Sequence, residues 1–595
     1  MTDSTSLSSR DQHSFGYDDE HFLLDGKSFQ IISGEIHYPR VPRDYWQDRL
    51  RKIRSLGCNA VCIYSFWDLH EPEPGVFNFD GNLDVASFIE MSEEEGLWVL
   101  FRPGPYICAD WDFGGLPSWL LTFADMKVRT LDPQFLKASE RYFHELGRRL
   151  SHLQITRRGP IIMVQVENEY GEFGRDNGYL QTIESMIRDS GFDTTLFTCN
   201  EYYPGIGAAG TLPDAVSAVN FGEVTDPEEA FALFEKEHGK RGPLMTSEYW
   251  AGWFDHWGEP RKTSNAKVCA ERLDWMLSHG ISVNMYVAHG GTTFGFMAGA
   301  NFETKYRPIA STYDFNAPLD EAGRPKEKFS LIRNVISKYR SLKLPPLPEQ
   351  LPMIEIPTFA LDESASLDSL LRNPVLSDKP LCMEALGQSY GFVLYRTTLS
   401  QKSASSGRLE IKDLHDYAIL MQKGKILGTI DRRLNQTSLE ITLDNYSSLD
   451  ILVENMGRIC YGSRISDDKK GITERVTLQG EELTGWEMFR LPMTDLSPLV
   501  FGHKQVNVPT FFRGQFELDS LGDTFLDMRG WGKGCAWVNG NNLGRYWHIG
   551  PQQSLFVPAP WLKKGENEVI ILDLEDRPAE RSLKSWKDQI WANEN

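Results

Sequence analysis

The feature that most constrains this chain is a rhythm that starts near residue 29: a short apolar run, a loop, a longer amphipathic stretch, then the next apolar run. The apolar runs lie at 31–38, 60–64, 98–102, 161–169, 195–198, 215–220, 244–248 and 283–287. Such short runs, bounded by Gly, Pro and polar residues, have no helical period and read as buried strands. Between them, helical spacing recurs at 45–56, 83–95, 133–151, 178–189, 227–238 and 264–278. Strands that alternate with helices of this length imply a parallel sheet. Eight of them close most economically as a (β/α)8 barrel, whose chemistry lies at the C-terminal strand ends.

The barrel accounts for only part of the 595 residues, so further domains are expected. A short hairpin with an Asp-Gly turn precedes it at 22–27, and a helical segment at 327–339 completes it. The stretch LPPLPEQLPMIEIP (344–357) is too rich in proline to continue helix or central strand. Beyond it the pattern changes to short β segments and turns, which read as two β-sandwich, jelly-roll-like domains. The expected division is a catalytic barrel domain at 1–345, a linker at 346–358, a first sandwich at 359–490 and a second at 491–595.

A net charge of −21 argues against nucleic-acid or anionic-membrane partners and for a neutral substrate. The first thirty residues contain no apolar run like that of a leader or anchor, and the eight cysteines show neither a disulfide framework nor zinc spacing. A cytoplasmic location is the expectation, in which the sequons at Asn435 and Asn445 have no meaning. Histidines 37, 70, 256 and 289 lack ligand spacing, so no metal or other cofactor is expected.

The chemistry concentrates in GPIIMVQVENEYG (159–171), where a buried strand breaks into Glu167, Asn168, Glu169 and Tyr170. A second such place is PLMT (243–246), followed by Ser247, Glu248, Tyr249 and Trp250. Two carboxylates at strand ends beside aromatic residues suit glycosidic bond cleavage: one protonates the leaving oxygen and the other acts at the anomeric carbon. In a strand running to residue 169, Gln165, Glu167 and Glu169 share one side, so spacing alone does not choose between the glutamates. Glu167 is the structural candidate, paired with an arginine or histidine of the barrel. Tyr64, Asp110 and the backbone of Cys108 and Ala109 follow other strand ends and can meet sugar hydroxyls. Trp250 and Trp253 form either a wall beside the sugar or core between domains.

Together, GPIIMVQVENEYG, RPGPYICADWDFGGLPSWL, TSEYWAGWFDHWGEP, AHGGTTFGFMAGAN and TYDFNAPLDEAG resemble the glycoside hydrolase family 35 β-galactosidases. The resemblance implies a retaining exo-β-galactosidase acting on galactose-terminated oligosaccharides, with Glu169 as acid/base, Glu248 as nucleophile and Asn168 near the 2-hydroxyl of galactose. It also implies that Tyr64, Cys108, Ala109, Asp110 and Tyr313 bind the sugar, and that Tyr461 reaches the aglycone from the first sandwich. Asp110, Thr293, Phe315 and Asn316 depart from the common family pattern, which leaves linkage preference open. Another retaining β-glycosidase on the same barrel, or an inactive carbohydrate-binding protein, are the alternatives. Oligomeric state is not legible, and a homo-oligomer stays open.

Overall fold

A computed structural model describes residues 12–202, 209–238, 242–340, 343–399, 406–444, 448–503, 509–575 and 580–592. The sequon at Asn445 lies outside them. Eight parallel strands form a closed barrel: β1 (Ile32–Ile36), β2 (Ala60–Tyr64), β3 (Trp98–Arg102), β4 (Ile161–Gln165), β5 (Thr195–Glu201), β6 (Val216–Gly222), β7 (Met245–Trp250) and β8 (Ser282–His289). Neighbours in sequence are neighbours in space, and β8 closes on β1 with Val283 opposite Ile32. Among the described residues no helix is long and apolar enough to cross a membrane.

Strand alternation sorts the side chains. Val61 and Ile63 of β2, like Val99 and Phe101 of β3, point outward into the core shared with the surrounding helices. Ala60, Cys62, Leu100, Ile162 and Ala218 belong to a separate apolar cluster inside the barrel. Toward the C-terminal ends the interior turns polar, through Glu35, Arg102, Asn220 and Asn284, all fully buried. Helix starts are fixed by side-chain caps: Asp132 accepts from the backbone of Gln134 and Phe135 ahead of helix Pro133–Leu150, and Asn265 does the same for Ala266–Ser278.

Two differences from the sequence reading concern boundaries. The fourth strand ends at Gln165 and not at Glu169, because Glu167 and Glu169 adopt left-handed backbone conformations (φ 61° and 46°) that end the extended alternation. Gln165, Glu167 and Glu169 therefore do not share a side. The second difference is in the β domains. A six-stranded and a four-stranded sheet enclose the core of the first, which contains Val393, Leu420, Leu449 and Trp486. Strand Glu363–Ser366, expected within it, instead pairs with Thr510–Leu518 at the edge of the last domain's five-stranded sheet. Phe359–Ala360 likewise pairs with Ser582–Leu583. The proline-rich stretch is already bound to this last domain, since Ile354 donates its N–H to the Asp523 carbonyl at 2.9 Å. The last sandwich is thus built from both sides of the first, and the boundary drawn at 358/359 divides the chain in the wrong place.

Candidate active site

The C-terminal mouth of the barrel opens into a cavity of about 370 Å³. Tyr64, Cys108, Ala109, Asp110, Glu169, Glu248, Trp250, Trp253 and Tyr461 all line it. Tyr461 arrives from the first β domain, whose loop completes one wall. Trp253 is exposed at the rim, so it is a surface of the site rather than interdomain core; it stacks on Phe254 with ring centroids 5.0 Å apart.

The two carboxylates have opposite surroundings. Glu248 Oε1 accepts from Arg102 Nη2 at 2.5 Å and from the Tyr64 hydroxyl at 2.9 Å, while its Oε2 accepts from the Trp250 indole at 3.0 Å. Arg102 is itself fixed beneath by Glu35 at 3.1 Å. Among the described residues, Glu169 has only amide donors: Asn220 at 2.9 Å and Asn168 at 3.4 Å. Burial, followed by the negative charges of Glu248 and Glu201, holds the Glu169 carboxyl well above the usual carboxylate range. Asn168 joins the two halves, because its Oδ1 accepts from Arg102 at 2.6 Å and from Tyr64 at 3.4 Å while its Nδ2 donates to Glu169.

Glu167 is not part of this cavity. Arg129 grips it through two hydrogen bonds of 3.0 and 2.8 Å, and the Tyr179 hydroxyl donates to it at 2.8 Å. That pairing with an arginine separates it from Glu169, a distinction that strand spacing had left open. Left-handed conformations at non-glycine residues cost roughly 1–2 kcal/mol each, and the Arg129 pair together with the Asn220 bond to Glu169 holds the two turns in place.

Asn168 and Tyr313 lie behind the wall rather than in it. The Tyr313 hydroxyl donates to Asp110 Oδ2 at 2.6 Å and shares a 2.7 Å hydrogen bond with Tyr286, so it positions two groups that do face the cavity. Burial pushes the Asp110 carboxyl up to about 7, against the pull of Tyr313 and Arg40 and with a further push from Glu248. Thr293 takes up Arg40 Nε at 2.9 Å, and Arg40 Nη2 donates to the Ala109 carbonyl at 2.7 Å. The threonine therefore supports the sugar-facing loop through Arg40. Phe315 lines the cavity as an apolar wall, whereas Asn316 turns outward to accept from Ser264 at 2.9 Å.

Sequence reasoning missed Glu201, Tyr286, Asn301 and Arg307 in the lining. Glu201 ends β5 between Asn200 and Tyr202, so the strand-end pattern that picked out Glu169 and Glu248 was available for it as well. It accepts from the Tyr461 hydroxyl at 3.0 Å, and its backbone N–H donates to Glu172 at 2.7 Å. Burial and the Glu201 charge push the Glu172 carboxyl up to about 8.

A barrel with two carboxylates at the ends of β4 and β7, an aromatic rim and a β domain closing one side defines a barrel glycoside hydrolase. Comparison with known proteins agrees. Residues 21–339 match Glycosyl hydrolases family 35, residues 380–492 match the first all-beta domain of beta-galactosidase, and residues 509–567 match its galactose-binding domain. The chain belongs to glycosyl hydrolase family 35. It is 44% identical over 551 residues to a beta-galactosidase of Xanthomonas manihotis, with 91% of each chain covered. A beta-galactosidase-1-like protein of Mus musculus is 40% identical, covering 96% of this chain and 91% of its own, and a beta-galactosidase of Bos taurus is 39% identical, covering 95% and 91%.

Proposed function

We propose that this retaining exo-β-galactosidase uses Glu248 as nucleophile and Glu169 as acid/base in the release of terminal β-galactose from oligosaccharides. The observation that carries this reading is the contrast between the two carboxylates: one faces a cation and two further donors, the other faces negative charge. Glu169 holds a proton for the glycosidic oxygen while Glu248 attacks the anomeric carbon. The C–O bond to the leaving sugar breaks, its oxygen takes the Glu169 proton, and the galactosyl group becomes an ester of Glu248. Esterification removes the Glu248 charge that had raised the Glu169 pKa. Glu169, left as a carboxylate by that proton transfer and kept so by its lowered pKa, takes a proton from water, which attacks the anomeric carbon of the ester and releases galactose and the Glu248 carboxylate.

Galactose is oriented on this reading by Tyr64, Asp110 and the backbone at Cys108 and Ala109. Trp250, Trp253 and Tyr461 flank the leaving sugar. The test is a pair of substitutions assayed on nitrophenyl β-galactosides and on galactosyl disaccharides. Glu248→Gln is expected to abolish turnover of every substrate. Glu169→Gln is expected to reduce disaccharide hydrolysis by about 10²–10⁴-fold while largely sparing glycosylation by activated aryl galactosides, which need little acid assistance. Equal loss of the glycosylation step across leaving groups moves the acid role away from Glu169.

A further inference from the structure

Cys108 and Asp110 come from the loop after β3, and Cys460 comes from the first β domain. Fold closure nevertheless brings one ligand atom of each, two sulfurs and a carboxylate oxygen, within 4.8 Å of one another. Both backbones are held. The Tyr106 hydroxyl donates to the Cys460 carbonyl at 2.7 Å, and the Cys460 N–H donates to Ala300 at 2.8 Å. The Cys108 carbonyl accepts from the Trp111 N–H at 3.1 Å. All eight cysteines are free thiols.

Two thiolates and one carboxylate make a donor set for zinc and for softer divalent ions of the same class. With Zn–S near 2.3 Å and tetrahedral angles, ligand sulfurs stand about 3.8 Å apart, so a cluster this tight needs only small side-chain rotations to close around an ion. Cys108 and Asp110 line the galactosidase cavity, whereas Cys460 stands behind it with no exposed surface. Three protein ligands would therefore leave the fourth position facing the sugar.

We propose that Cys108, Asp110 and Cys460 form a binding site for zinc-class divalent ions in the wall of the sugar pocket, and that occupancy excludes galactose. The ion takes the carboxylate that faces the sugar and fills the space beside it. The site plays no part in the chemical step; it makes the enzyme reversibly sensitive to thiophilic metal. This inference does not depend on the roles given to Glu169 and Glu248, because binding can be read without turnover.

The experiment titrates the whole chain with chelator-buffered Zn²⁺ during hydrolysis of nitrophenyl β-galactoside, and with Cd²⁺ while following the ultraviolet charge-transfer band of cadmium thiolate. Zinc is expected to raise KM by at least about ten-fold with little change in kcat, to be competed by free galactose, and to be reversed by chelator. Cadmium is expected to bind once per chain with the thiolate band. Cys460→Ala and Cys460→Ser are expected to keep the metal-free activity, to move the inhibition midpoint up by at least about ten-fold, and to weaken the band, because one of three ligands is lost. Either variant suffices if the other does not fold. The same midpoint in wild type and variant, the absence of a thiolate band, or inhibition that galactose does not relieve overturns the proposal.

Discussion

At the residue scale the site works by placing negative charge where a proton must be held. Among the described residues Glu169 has no cation as a hydrogen-bond partner, and it stands near Glu248, Glu201 and Glu172, whereas Glu167, two residues earlier, is paired with Arg129. Because burial and neighbouring anions raise the Glu169 pKa, its acid form persists above the usual carboxylate range. The kcat/KM for substrates with poor leaving groups is therefore expected to fall as pH rises through that raised value. Glu201→Gln removes one of the anions while keeping an acceptor for Tyr461. In that variant the alkaline limb of the kcat/KM profile moves to lower pH, which a pH series on a galactosyl disaccharide measures. A limb that stays where it is in the wild type means that Glu201 serves the aglycone side alone. Glu167→Gln, by contrast, leaves Arg129 buried without its partner, and the expected result is a loss of about 3–5 kcal/mol of stability without the leaving-group signature of Glu169→Gln.

At the scale of elements, the pocket depends on how closely the end of β8 approaches the segment carrying Tyr313. A Cβ at Gly290 would lie 1.6 Å from the Tyr313 carbonyl oxygen, and one at Gly252 would lie 1.7 Å from that of Phe315. Gly290 and Gly291 of HGGTTFG thus admit neighbouring backbone, not phosphate. Gly290→Ala must push Tyr313 away, which unhooks its hydroxyl from Asp110. Overpacking of this kind costs about 1–3 kcal/mol, and KM for aryl galactosides is expected to rise along with the fall in thermal stability; a fall in stability with KM unchanged would show that Tyr313 does not set the position of Asp110. This element-level economy explains what the sequence revealed. Five-residue apolar runs such as 60–64 and 98–102 were legible because both faces of a parallel strand are buried. Tyr64 and Glu248 were findable because they end such runs, and Glu169 and Asp110 because they lie in the loops that follow them. The left-handed turns at Glu167 and Glu169 were not, since no glycine marks them, and so the strand was read four residues too long.

At the scale of the whole molecule, the parts that sequence patterns did not disclose are those made by contacts between distant segments. Strand Glu363–Ser366 reads ESAS, with no apolar alternation to mark it as a strand, and only its pairing with Thr510–Leu518 assigns it. Tyr461 and Cys460 are brought to the barrel mouth by closure of the first β domain, where Tyr461 meets Glu201, a contact with no local signature. Arg458 carries much of that closure. Fully buried, it meets Asp112 of the barrel loop at 2.8 Å and Glu384 of the first β domain at 2.6 Å, and donates to the Ser389 carbonyl at 2.7 Å. Asp112 follows directly on the Cys108–Trp111 turn, so the arginine ties the sugar-facing loop to the domain that supplies Tyr461. Arg458→Met leaves both carboxylates without their cation, at an expected cost of about 3–5 kcal/mol. Because domains of this size need not unfold together, calorimetry should show the β-domain transition separating from that of the barrel and moving to lower temperature. KM should rise for disaccharides more than for small aryl galactosides, since the aglycone wall is what loses its anchor. Arg458→Lys keeps the charge but not the forked geometry and should fall between the two. If Arg458→Met lowers the melting temperature yet leaves the disaccharide-to-aryl ratio of KM unchanged, the first β domain supports the barrel mechanically and does not hold the leaving sugar.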